Sequence, residues 1–146
     1  RDAVFVRHPA PRRLAEFLRP HALSPLRDQP RLVGVDAVVA EGFEAGGHNG
    51  REETTTLCLI PSARQAIKIP LIAAGGIATG KGMLAAMVLG ADGVQMGSRF
   101  AASIESSAHI DFKKTILETQ EGETLVTLKE LAPVRLIKNK FFTQNV

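Results

Sequence analysis

The chain contains no tryptophan, no tyrosine and only one cysteine in 146 residues. A lone thiol, Cys58, cannot close an internal disulfide, which fits a cytoplasmic setting. Cys58 and the four histidines show no zinc-ligand spacing, so no metal is expected. Cys58 lies in "TTTLCLIPSA" among apolar neighbours, and the thiol is expected to be packed and unreactive. With so few aromatics, the stacking platforms that single-stranded nucleic acid requires are missing. No apolar run approaches the ~18 residues of a membrane-spanning helix. The opening stretch "RDAVFVRHPAPRRL" has no apolar core long enough for a secretory signal. Neither a membrane nor a nucleic acid is therefore expected as a partner.

A formal net charge of +3 would suit nucleic-acid binding if it were spread over a folded surface. It is not. Residues 1–32 hold seven arginines against three acidic residues, and the rest of the chain holds 11 basic and 12 acidic side chains. The body is close to neutral. The same first 32 residues contain five of the eight prolines and no lysine. Proline at that density interrupts helices and strands alike, and only "RRLAEFL" is long enough for a helical turn or two. The expectation is a basic Pro/Arg-rich arm over residues 1–33. It would be disordered, or not native to the domain that follows, since Arg/Pro/Ala/Leu bias is what GC-rich DNA gives in a wrong reading frame.

From Gly34 onward the pattern is regular. "VDAVVAE" (35–41), "IPLIAAG" (69–75) and "ADGVQMGS" (91–98) read as short strands buried on both faces. Between and after them, "TTTLCLIPSARQAI", "KGMLAAMVLG" and "HIDFKKTILETQ" read as helices. Leu57, Ile60, Ala63 and Ile67 form the apolar stripe of the first helix, and Phe112, Ile116 and Leu117 that of the last. "GFEAGGHNGREE" reads as a glycine-rich loop with Glu44, Arg51, Glu52 and Glu53 as a solvated rim. "RLIKNKFF" reads either as a basic amphipathic helix or as ordinary core. Strands and helices alternating in this way imply an α/β domain with a parallel sheet. In such sheets the functional loops follow the C-terminal ends of the strands. All three glycine clusters, after Glu41, Ala74 and Met96, lie there.

The middle cluster almost matches a nucleoside-triphosphate loop. Gly75, Gly80 and Lys81 have the right spacing, but Gly82 stands where a magnesium-binding Ser or Thr is required. No G-x-G-x-x-G opens a helix either, so the dinucleotide fingerprint fails. What remains is Gly75–Gly76 at one strand end and Gly97–Ser98 at the next. Unhindered backbone N–H groups from adjacent strands can chelate one phosphate, and such a pair is the usual phosphate site of (β/α)8 barrels.

"AEGFEAGGHNG", "IPLIAAGGIATGKGM" and "GADGVQMGSRF", in that order, resemble the FMN-dependent nitronate monooxygenase family, whose fold and motifs are shared by the flavin-dependent enoyl-acyl-carrier-protein reductases. "ESSAH" and "PVRLIKNK" extend the resemblance, which covers residues 34–140. It implies a TIM barrel with FMN at its C-terminal mouth, the strands here being the last three. It further implies that Gly75 and Gly76 offer N–H groups to the FMN phosphate and that Gly97 and Ser98 complete the cradle. Glu41, Gly46, Gly47 and Gln95 would lie along the flavin, and His48 would face its ring and the substrate. Proton abstraction beside a nitro group needs a base of suitable pKa, which imidazole supplies. In a reductase the same histidine would orient or protonate an enoyl thioester. Outside the motif, a lone loop histidine would be expected to have its ring tied to backbone. The substrate is thus a small molecule, a nitronate or an enoyl thioester.

A complete barrel takes about 250 residues. Residues 34–146 are therefore expected to be part of a barrel, with open sheet edges that favour aggregation or a homodimer and bind FMN weakly without turnover. A non-catalytic phosphate-binding half-barrel is the remaining alternative.

Overall fold

The computed structural model describes residues 16–18 and 36–139. Four short strands, β1 (Glu16–Leu18), β2 (Val38–Glu41), β4 (Leu71–Ala74) and β5 (Gly93–Gln95), make one parallel sheet in the order β1-β2-β4-β5. Helix α1 (Thr56–Ala66) connects β2 to β4, and α2 (Gly80–Val88) connects β4 to β5. Valine, isoleucine, leucine and alanine fill β2 and β4 because both faces of these central strands are covered. Val38, Ala40, Leu71 and Ala73 pack with Leu59, Ile60 and Ala63 of α1, all fully buried. This is the core. Thr79 starts α2 by accepting a hydrogen bond from the Gly82 amide on its side-chain oxygen, and the helix ends before Gly90, whose φ is +108°.

Beyond β5 come the one-turn helix α3 (Ser98–Ala101) and then α4 (Ile110–Glu118). A hairpin of β6 (Thr124–Thr127) and β7 (Val134–Ile137) follows. It forms a second, antiparallel sheet with the two-residue strand β3 (Gly47–His48), in the order β3-β7-β6.

The α/β reading and the three central strands agree with this fold, and several finer expectations do not. Residues 16–18, expected in an irregular arm or a helical turn, form a strand whose three residues pair in parallel with Val38, Val39 and Ala40. The parallel sheet accordingly has four strands. Val134–Ile137, in the stretch that reads as a basic amphipathic helix or as ordinary core, is strand β7, paired with β6 in the register Leu125↔Leu136 and Thr127↔Val134. The glycine-rich loop contains β3. Cys58 is exposed, not packed. Helix α1 turns Thr56, Leu59, Ile60 and Ala63 inward, which leaves Leu57 65% exposed. In α4, Leu117 is likewise outside, at 70%.

Candidate functional site

The pairing register sets the last residues of three strands side by side. Glu41 of β2 pairs with Ala74 of β4, and Ala74 pairs with Gln95 of β5. Just beyond this row the chain opens into a cleft of about 740 Å³. Of the nine residues singled out from the sequence, eight line it: Glu41, Gly46, Gly47, Gly75, Gly76, Gln95, Gly97 and Ser98. Helix α4 contributes Phe112, Thr115 and Ile116, and β7 contributes Arg135, Leu136 and Ile137. Gly75 of the near-match to a triphosphate loop lines the cleft, but Gly80 and Lys81 are not among the lining residues.

His48 is the ninth, and it is placed differently. It follows Gly47 on β3, pairs with Val134 and is exposed, and it does not line the cleft. The alternation of a strand accounts for this. Gly47 faces Arg135, which lines the cleft, so the next residue along β3 shares the opposite face with Val134.

The floor of the cleft is backbone. Gly75 and Gly76 have φ values of +101° and +68°, a region that side chains other than glycine rarely enter. A Cβ on Gly75 would stand 2.7 Å from the Gly42 carbonyl oxygen, so the two loops touch through bare backbone. At Gly97 a Cβ would meet nothing within 4 Å.

Two residues of this region do more than the sequence suggested. Glu44, read there as solvated rim, accepts hydrogen bonds from the Thr56 amide on both carboxylate oxygens, at 2.9 and 3.1 Å. It thereby satisfies an N–H that the first turn of α1 cannot bond internally. Thr55, at the N-cap position, makes no such side-chain bond. Arg135 donates to the Phe43 carbonyl at 3.2 and 3.4 Å, and its guanidinium lies 5.0 Å from the centre of the Phe43 ring. Arg135 thus ties the hairpin to the loop that carries Gly46 and Gly47. Arg51 ties that loop's far side to the hairpin turn by donating to the Leu131 carbonyl at 2.6 Å. The signal for Arg135 was present in "PVRLIKNK" but carried no geometry.

Residues 30–146 match the family model described as nitronate monooxygenase. The chain belongs to that family. It is 44% identical over 118 residues to a probable nitronate monooxygenase of Staphylococcus saprophyticus, which covers 74% of this chain and 33% of that protein. It is 43% identical over 120 residues to a probable nitronate monooxygenase of Bacillus subtilis, covering 77% of this chain and 35% of that one. Among solved structures, FabK from Thermotoga maritima matches with a TM-score of 0.80 and 41% identity, over 90% of this chain and 41% of FabK. Nitroalkane oxidase from Streptomyces ansochromogenes matches with a TM-score of 0.66 and 34% identity, over 76% of this chain and 35% of the oxidase. The chain therefore spans about a third of the curated relatives it matches.

Proposed function

We propose that the chain is the C-terminal part of a (β/α)8 barrel whose parent is an FMN-dependent oxidoreductase, oxidising alkyl nitronates with molecular oxygen. The observation that carries this reading is the convergence of Glu41, Gly75, Gly76, Gln95, Gly97 and Ser98, from three adjacent strand ends, on one cleft. The residues present suit FMN. The left-handed turn at Gly75–Gly76 carries no side chains, so its backbone is open to an anion in the cleft. A cleft of about 740 Å³ falls in the range of roughly 300–1,000 Å³ usual for cofactor and ligand sites.

When bound, FMN supplies the electron-accepting chemistry. The chain supplies position and proton transfer. Gly75 and Gly76 would donate backbone N–H groups to the phosphate, and Gly97 and Ser98 would do so from the neighbouring strand. Glu41, Gly46, Gly47 and Gln95 would lie along the flavin. By the resemblance His48 would be the base that removes the proton beside the nitro group of a nitroalkane, although here it is exposed and lies across β3 from the cleft.

The test is oxygen uptake and flavin absorbance of the full-length parent with and without an alkyl nitronate. Nitronate is expected to drive oxygen uptake and, without oxygen, to remove flavin absorbance. His48→Ala should lower kcat/KM by about 100-fold or more with the neutral nitroalkane, whose proton must be removed, and leave turnover of the preformed nitronate largely unchanged. Similarity to FabK at 41% identity favours a second reading, reduction of an enoyl thioester at the same cleft. Oxidation of NAD(P)H with an enoyl thioester, and no oxygen uptake with nitronate, would select it.

A further inference from the structure

The Glu44–Thr56 pair reaches further than the start of α1. Thr56 is buried, at 9% exposure, and its hydroxyl oxygen lies 2.8 Å from the Gly75 carbonyl, 3.0 Å from Glu44 Oε2 and 3.2 Å from the Ala74 carbonyl. All three neighbours accept, and the hydroxyl has one proton to give. The shortest contact is with Gly75. Because a trans peptide is planar, its C=O and the N–H of the next residue point in opposite directions. A Gly75 carbonyl held toward Thr56 therefore turns the Gly76 N–H away from α1.

The surroundings leave this peptide little freedom. The Gly42 amide donates to the Ala74 carbonyl at 2.9 Å. A Cβ on Gly42 would stand 2.1 Å from the Thr56 hydroxyl, and one on Gly76 would stand 2.9 Å from Glu44 Cβ. Three loops, after β2, before α1 and after β4, thus meet at one side chain. Glu44 closes the arrangement from the cleft wall.

We propose that Glu44 is a positioning residue: by holding Thr56 it fixes the Gly75–Gly76 peptide with its N–H toward the cleft, where a phosphate is recognised. The proposal rests on the phosphate-site reading above. It gives Glu44 no proton to transfer. The acidic group sits beside an anion site because its charge is engaged by the Thr56 amide at the positive end of α1.

The experiment compares the dissociation constants of FMN and riboflavin for the full-length parent and four variants, by quenching of flavin fluorescence. Glu44→Ala and Thr56→Val should weaken FMN about fivefold and leave riboflavin unchanged, because only FMN carries the phosphate. Glu44→Gln should restore FMN affinity, since its amide oxygen still accepts from the Thr56 N–H and its NH2 can donate to the hydroxyl. Thr56→Ser should do the same. A Glu44→Ala protein with unchanged FMN affinity, or a Glu44→Gln protein as weak as Glu44→Ala, would overturn the role of Glu44 alone. Equal loss of FMN and riboflavin would also overturn it, as the mark of general damage to the fold. Wild-type protein that does not distinguish FMN from riboflavin would sink the phosphate-site reading, and the proposal with it.

Discussion

At the scale of single residues, the glycines of the cleft separate into two kinds that only geometry distinguishes. Gly75 is required by the fold: its φ is +101° and a Cβ would collide with the Gly42 carbonyl. Gly75→Ala should cost about 1–3 kcal/mol of stability, visible as a lowered urea midpoint. Gly97 has an ordinary φ of −94° and open space where a Cβ would go. Gly97→Ala should leave the urea midpoint unchanged and weaken FMN, because the added methyl group stands in the cleft where the phosphate approaches backbone. Unchanged FMN affinity would make Gly97 a simple turn residue. His48 and Glu44 show the limits of reading residues singly. Both stood in the same motif, yet Glu44 lines the cleft while His48 lies on the other side of a two-residue strand.

At the scale of elements, the parts legible in the sequence were those bounded by their own signals. Strands β2 and β4 are largely apolar runs followed by glycine, and α2 is closed by Gly90. Eight of nine candidate site residues reached one cleft because the strand-end rule needs no knowledge of side-chain contacts. Strand β1 was not legible, since proline on both sides removed any periodicity; it is recognised by its parallel pairing with β2. For strand β7 the sequence left a helix and ordinary core both open, because "VRLI" satisfies helical and alternating patterns equally, and only pairing with β6 decides between them. The Glu44–Thr56 contact spans 12 residues and acquires its meaning from Gly75, which lies 19 beyond Thr56. Elsewhere, Asp92 joins three elements. Its Oδ2 accepts from the Leu71 amide at 2.8 Å and from Arg64 at 3.0 Å, and Arg64 also donates to the Ile67 and Ile69 carbonyls at the end of α1. Asp92→Ala leaves the Leu71 amide without that partner and should cost about 1–3 kcal/mol. Leu59→Ala, in the fully buried face of α1, should cost about 2–5 kcal/mol. Chemical denaturation of the two variants checks both values.

At the scale of the molecule, the described residues leave much apolar surface in water. Ile104 is 91% exposed, Val88 79%, and Leu84 and Phe100 64% each. β5 ends the parallel sheet with one edge unpaired among the described residues. Such a surface associates. The chain on its own should sediment as dimers or larger species, and the full-length parent should not expose this face. A monomeric chain that fails to bind a hydrophobic dye would contradict that.

The central claim is that bare amides at neighbouring strand ends recognise a phosphate. The most direct measurement is the ratio of the riboflavin and FMN dissociation constants for the wild-type full-length parent. Several charge-assisted hydrogen bonds to one phosphate predict that FMN binds at least about tenfold more tightly. A ratio near one would mean that the glycine turns merely reverse the chain.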